Sequence, residues 1–314
     1  MMSDYEKTGV RMLELTAAGL HLHEKRLACL WDMAHQLAAE PEFTAQFTEN
    51  DGFRRRYREM TARASVRPGQ DAAFAFTSGQ LSALERAVGI LERAYLCRIL
   101  AKLSGWEDCR TFAALSHRLF REAPEESPDR VAYLDNLYAD EAYRRFSGML
   151  HDPTALYADS FSGVCETVSA ARARMCILPM ENSTDGILTG FHALLAKYDL
   201  KIVAVCEVPT GDESMTRFAL LQKSIGFPGA DREPVFFRFT LFSDSPEVLG
   251  DVMLAADALG LPLCKIDTVS AAYTDFAFAY DVTLTCRPET LAGFYCYLSM
   301  EIPHFVPVGL FGQV

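Results

Sequence analysis

The spacing of hydrophobic residues changes along this chain, and that change restricts its fold more than any other sequence feature. Leu13, Leu20, Leu27 and Ala34 recur every seven positions, with Leu30 and Leu37 between them. Such spacing marks an amphipathic helix with a narrow apolar seam, suited to packing on other helices. Pro41 interrupts it. A more charged helix is predicted from Phe47 to Ala64. A longer one follows the capping-box-like run Thr77 to Gln80, carries Val88, Leu91, Tyr95 and Ile99, and stops at Gly105. A short helix from Thr111 to Arg121 completes an all-helical unit, residues 1–122.

The acidic stretch Glu122 to Asp129 holds two prolines and reads as a linker. Beyond it, strands are expected at Arg130 to Leu134, Ala155 to Ala158, Met175 to Met180, Lys201 to Val208 and Met215 to Gln222. Helices are expected at Asp140 to Phe146, Phe161 to Arg172 and Ile187 to Tyr198. That order implies a mainly parallel sheet with helices on its faces, residues 130–223. After a Gly- and Pro-rich connection the pattern becomes β-α-β-β-α-β over residues 235–312, a ferredoxin-like sandwich. Val235, Phe237, Phe239 and Leu241 alternate there, as do Phe276, Phe278, Tyr280, Val282 and Leu284. The fold class is therefore α+β and multidomain.

Charge narrows the function. Up to residue 126, 17 basic side chains face 18 acidic ones; from 127 onward, 13 face 24. An acidic body repels phosphate backbones, so nucleic acid is not an expected partner. The basic run Arg54 to Arg58 reads as a helix face paired with Glu49, Asp51 and Glu59, the sharper alternative being a small anion site. No apolar run approaches the roughly 18 residues a membrane span needs. Nine scattered cysteines without a C-x-x-C pair read as buried, reduced thiols of a cytoplasmic protein. His21 and His23 lie two apart on a helix, and neither a metal site nor a cofactor is implied.

Several segments, in order, resemble the prephenate dehydratase family. Arg130 to Leu134 stands where that family's first strand leads into its substrate loop. Cys176 to Gly186 (Cys-Ile-Leu-Pro-Met-Glu-Asn-Ser-Thr-Asp-Gly) resembles its strand-Pro-x-Glu-Asn-Ser/Thr-x-x-Gly motif, and Thr216-Arg217-Phe218 its Thr-Arg-Phe. The last segment resembles the ACT domain that usually follows, and the helices stand where bifunctional members carry a chorismate mutase. The resemblance implies a periplasmic-binding-like lobe in the centre and a link to phenylalanine biosynthesis. It implies prephenate, phenylalanine or another small aromatic or dicarboxylate metabolite as ligand, and a homodimer. Thr216 would assist the leaving group beside Arg217, and Glu181, Asn182, Ser183 and Thr184 would line the cleft. Taken from its sequence alone, the Glu181 to Thr184 run could equally cap a helix starting at Ile187.

Departures from the family pattern point away from ordinary turnover. Pro209 to Met215 bridges, in seven residues, the place where a whole second lobe should stand, and seven residues reach about 25 Å at most. The half-cleft is then expected to be open and wet, which weakens contacts to a charged ligand. Asp135 to Ala139 replaces a glycine-rich loop, and Asp135 would repel a dianion. In the ACT-like segment, Glu247, Val248, Leu249 and Gly250, with Asp267, Thr268, Val269 and Ser270, stand where relatives carry effector-binding residues. In the helices, Arg11 and Lys25 are candidates for an anion site. The expected function is a degenerate, regulatory or ligand-sensing relative; the alternative is an enzyme retaining dehydratase or mutase activity.

Overall fold

The computed structural model describes residues 11, 23–64, 78–120, 129–184, 186–188, 190–210, 214–226, 234–269 and 275–314. The Thr77 end of the capping-box-like run, and Leu13 and Leu20 of the seam, lie outside these residues. The remainder of the seam holds: residues 23–38 form a helix, α1, and Leu30, Ala34 and Leu37 are buried. A short 3-10 turn at Phe47–Glu49 precedes α2 (Asp51–Ala64), then α3 (Ser78–Leu103) and α4 (Phe112–Phe120). Thr111 caps α4, its Oγ1 accepting from the Ala114 N–H at 3.2 Å.

The α/β part runs β1 (Arg130–Leu134), α5 (Leu137–Ser147), β2 (Thr154–Ala158), α6 (Phe161–Ser169), β3 (Met175–Asn182), β4 (Gly186–Ile187), α7 (Phe191–Tyr198), β5 (Lys201–Pro209) and β6 (Met215–Gln222). The last part runs β7 (Val235–Ser243), α8 (Glu247–Ala258), β8 (Leu263–Thr268), β9 (Phe278–Cys286), α9 (Pro288–Glu301) and β10 (Phe305–Gln313). The helix expected from Ile187 starts only at Phe191. Gly186 and Ile187 first pair back onto Asn182 and Glu181, and the helix opens on Gly190 in a left-handed conformation with no side-chain cap. The Glu181 to Thr184 run therefore caps nothing. Asn182 instead closes a local turn, its Oδ1 accepting from the Thr184 N–H at 2.8 Å.

All strands join one sheet in the order β2-β1-β3-β6-β5-β10-β7-β9-β8, with β4 paired to β3. Strands β10-β7-β9-β8 carry the 4-1-3-2 order of the ferredoxin-like sandwich. The two parts merge through a parallel β5–β10 seam, where an added Cβ at Gly309 would lie 2.6 Å from the Ile202 carbonyl oxygen. One outer strand of the C-terminal four, β10, is thus paired within the chain.

Three apolar clusters fill the spaces around the sheet. One lies between the sheet and α5, another between the sheet and α6–α7. The third is shared: α3 packs on α8 and α9 and α4 on α9, with residues of α1 and α2 in the same cluster, burying Trp106, Phe53, Phe237, Phe239 and Phe294 together. Polar ties hold the same contact. The Tyr57 hydroxyl donates to Glu301 at 2.7 Å, Arg93 pairs with Glu301 at 2.9 Å, and Arg54 donates to the Ser299 carbonyl at 2.8 Å. The helices of residues 1–122 thus share their core with the C-terminal sheet.

Candidate functional site

Strand register decides which candidate residues can meet. Along β6, Ala219 and Leu221 face α6–α7, whereas Phe218 and Leu220 face α5. Side chains alternate along a strand, so Arg217 falls on the first face and Thr216 on the second. The partner β3 carries a bulge between Pro179 and Glu181, after which Glu181 pairs with Arg217 and Asn182 with Thr216. The candidate residues are therefore divided into two sets by the sheet itself.

On the α5 face, Thr216 is buried at 6% exposure. Its Oγ1 accepts from Asn182 Nδ2 at 3.0 Å and lies 3.1 Å from Thr210 Oγ1. Thr210 is held in turn by the Ser214 carbonyl, 2.9 Å from its N–H, and its own carbonyl accepts from Tyr138 at 3.1 Å. Ser183 closes the same corner, its N–H donating to the Met215 carbonyl at 2.8 Å and its Oγ accepting from the Met215 N–H at 3.0 Å. Thr184 is exposed. At the opening of α5, Asn136 accepts from the Tyr138 and Ala139 N–H groups, while Asp135 points to solvent.

The opposite face is charged. Arg217 donates to Glu207 at 2.8 Å and lies 3.8 Å from Glu181. Glu181 also pairs with Lys265 at 3.2 Å, and Lys265 with Asp267 at 3.3 Å. Lys265 belongs to β8, six strand positions from β3. In a flat sheet that separation would be about 29 Å. The sheet therefore coils until the C-terminal strands face the central lobe across α7. Deeper in the same junction, Arg238 donates through Nε to Asp281 at 2.9 Å and through Nη2 at 2.5 Å, and His192 of α7 approaches Asp281 at 3.2 Å. Arg238 and Asp281 are 5% and 1% exposed. Burial holds the His192 imidazole below its ordinary pKa, with Arg238 adding to the effect against the opposing pull of Asp281.

The half-cleft is walled only in part, and the Arg217 side chain stays 42% exposed. The lobe expected between β5 and β6 is replaced by a hairpin, Pro209 ending one strand and Met215 opening the next. Yet the C-terminal sheet supplies a facing wall on the Arg217 side, and Thr216 is enclosed by its own neighbours. Sequence reading missed Thr210, Glu207, Lys265, Arg238, His192 and Asp281. Arg238 and Asp281 occupy the outward positions of alternating strands, which locally look solvated; only the coiling of the sheet covers them.

Of the remaining candidates, Asp267 joins the Arg217–Glu181 network through Lys265, and the others lie apart. Arg11 and Lys25 are both exposed. Glu247, at the start of α8, pairs with Arg86 of α3, and Val248 and Leu249 pack into the shared core. Asp267 pairs across β8–β9 with Asp281, on the opposite face of the sheet from α8, and Thr268 is exposed. The two parts of the expected effector region thus face different directions. In the basic run, Arg56 pairs with Glu40 at 3.5 Å and Glu59 at 3.6 Å on the outer side, whereas Arg54 turns inward to α9.

Residues 136–211 match the prephenate dehydratase family model. That span includes the Glu181 motif and stops before Thr216. Among solved structures, the prephenate dehydratase of Streptococcus mutans superposes with TM-score 0.51 at 18% identity, over 59% of this chain and 98% of that one. The prephenate dehydratase of Arthrobacter aurescens in complex with L-Phe gives 0.46 at 13% identity, covering 58% and 90%. GqqA, described as a novel type of quorum-quenching acylase, gives 0.46 at 18%, covering 60% and 97%. The comparison with curated proteins returned no match. The central segment of the chain thus resembles the prephenate dehydratase family over residues 136–211, and the chain shares its fold with a solved prephenate dehydratase.

Proposed function

We propose that this chain is a non-catalytic relative of prephenate dehydratase, acting as a ligand-sensing or regulatory protein of phenylalanine biosynthesis. Loss of water and carbon dioxide from a dicarboxylate needs a proton donor at the departing hydroxyl and cations on the carboxylates. The observation that carries the proposal is the hairpin in place of the second lobe, with both key side chains already engaged. The Thr216 hydroxyl is bonded to Asn182 and Thr210, and Arg217 is neutralised by Glu207 and Glu181. Freeing Arg217 for a substrate carboxylate would leave Glu207 without its counter-ion, whereas Glu181 would keep Lys265. The opposite reading, an enzyme with residual activity, draws on Thr216, Asn182 and Ser183 still meeting in one corner.

Sensing is tested by thermal unfolding of the full chain with phenylalanine, tyrosine and prephenate in turn. A ligand at 100 times its dissociation constant stabilises by about 2.7 kcal/mol, a readily measured upward shift. A melting curve unmoved by all of them would remove the sensing role.

A further inference from the structure

Where the helices, the central lobe and α9 come together, the chain leaves a solvent-open pocket of ≈ 390 Å³. That lies within the range of roughly 300–1,000 Å³ typical of small-molecule sites. It is on neither face of the Thr216 corner, and no part of the proposed dehydratase relationship accounts for it. One wall is aromatic and apolar: Phe120 of α4 stands edge-on to Tyr295 of α9 at 5.2 Å, with Ile225 beside them. The other is polar, formed by Lys201 at the start of β5 and by Lys223 and Ser224 just after β6.

The polar groups are positioned and have donors to spare. Lys201 is anchored by Asp199, exposed and outside the cavity wall, at 2.8 Å. Lys223 donates to the Tyr198 carbonyl. An ammonium carries three N–H donors, so each of these contacts leaves two. Ser224 Oγ accepts from Gln222 at 3.0 Å, which leaves its own proton to donate. Glu49 lines the pocket as well, and burial followed by Glu49 pushes the Tyr295 hydroxyl up to about 12, so it remains neutral. Two lysines thus line one pocket of a chain of net charge −12.

We propose that this cavity binds a small aromatic carboxylate, its carboxylate on Lys201, Lys223 and Ser224 and its ring between Phe120, Tyr295 and Ile225. The site deepens, and rests on, the sensing role proposed above: a ligand there touches the helices, the lobe and α9 at once, and so ties binding to the packing of all three.

The test is titration calorimetry on the full chain with 3-phenylpropionate, against acetate (no ring) and 3-phenylpropanol (no charge). Binding of 3-phenylpropionate, with both controls at least about tenfold weaker, is expected, because a hydrogen bond to a charged group contributes at least that factor. Lys201→Gln with Lys223→Gln should weaken it about tenfold or more, and Lys197→Gln, a lysine outside the cavity, should leave it unchanged. Ser224→Phe, which fills the cavity without removing charge, should also abolish it, and unaltered melting of each variant excludes misfolding. Equal binding of acetate, or binding undiminished in both cavity variants, would overturn the site. A phenylalanine, tyrosine or prephenate shift that survives the double lysine variant would leave sensing intact and place it elsewhere. No heat with 3-phenylpropionate at millimolar concentration would overturn the site as well.

Discussion

The Asp281 carboxylate accepts from Arg238 through one oxygen, while the other is buried without a hydrogen-bond partner among the described residues. A buried guanidinium stripped of its counter-ion is costly. Asp281→Ala is expected to destabilise the chain by about 3–5 kcal/mol in denaturant unfolding. A loss below about 1 kcal/mol would mean that water reaches Arg238. His192 beside them gives a pH dependence with a definite sign. Its folded pKa is lowered, chiefly by burial, so the stability it contributes is full above the ordinary histidine value near 6.5 and lost as pH falls through the folded value. Unfolding measured from pH 7 down to pH 5 should show this loss, and His192→Gln should remove that component of the slope. Neither effect was legible in the sequence, where Arg238 and Asp281 alternate with core residues as solvent-facing positions do.

Most elements were legible because each is set by local chemistry. Met215–Gln222 and Arg130–Leu134 have the expected bounds, and Pro288 opens α9 where proline in a first turn should. The helix at Ile187 was misplaced because a two-residue strand, β4, depends on a partner strand rather than on its own sequence. The β5–β10 seam was invisible for the same reason, since pairing between distant edges leaves no periodic signal. Gly309 is the residue that permits it. A Cβ there would meet Ile202 backbone and side chain at 2.6 and 2.7 Å, and backbone cannot move aside cheaply. Gly309→Ala should therefore lower stability by about 1–3 kcal/mol in thermal or denaturant unfolding. An unchanged midpoint would show that β10 can shift away from β5 freely.

At the scale of the whole molecule, the passage from helices to alternating strands and helices was readable from the change in hydrophobic period. How the parts share surfaces was not. The helices bury α8 and α9, and the continuous sheet coils to bring β8 within reach of β3. This coiling sets a charged strand, with Lys265, against the Arg217 side of the central lobe, and buries the Arg238–Asp281 pair beneath it. It also explains how a chain can keep the Glu181 and Thr216 motifs while using them for internal bonding: Glu181 holds Lys265 of the last unit, and Asn182 holds Thr216. The central claim is that this bonding has displaced dehydration, and the most direct measurement is phenylpyruvate formation from prephenate by the purified full chain, quenched without acid. The expected rate equals the uncatalysed one and is the same for Thr216→Ala. Turnover above background that disappears in Thr216→Ala would contradict the claim.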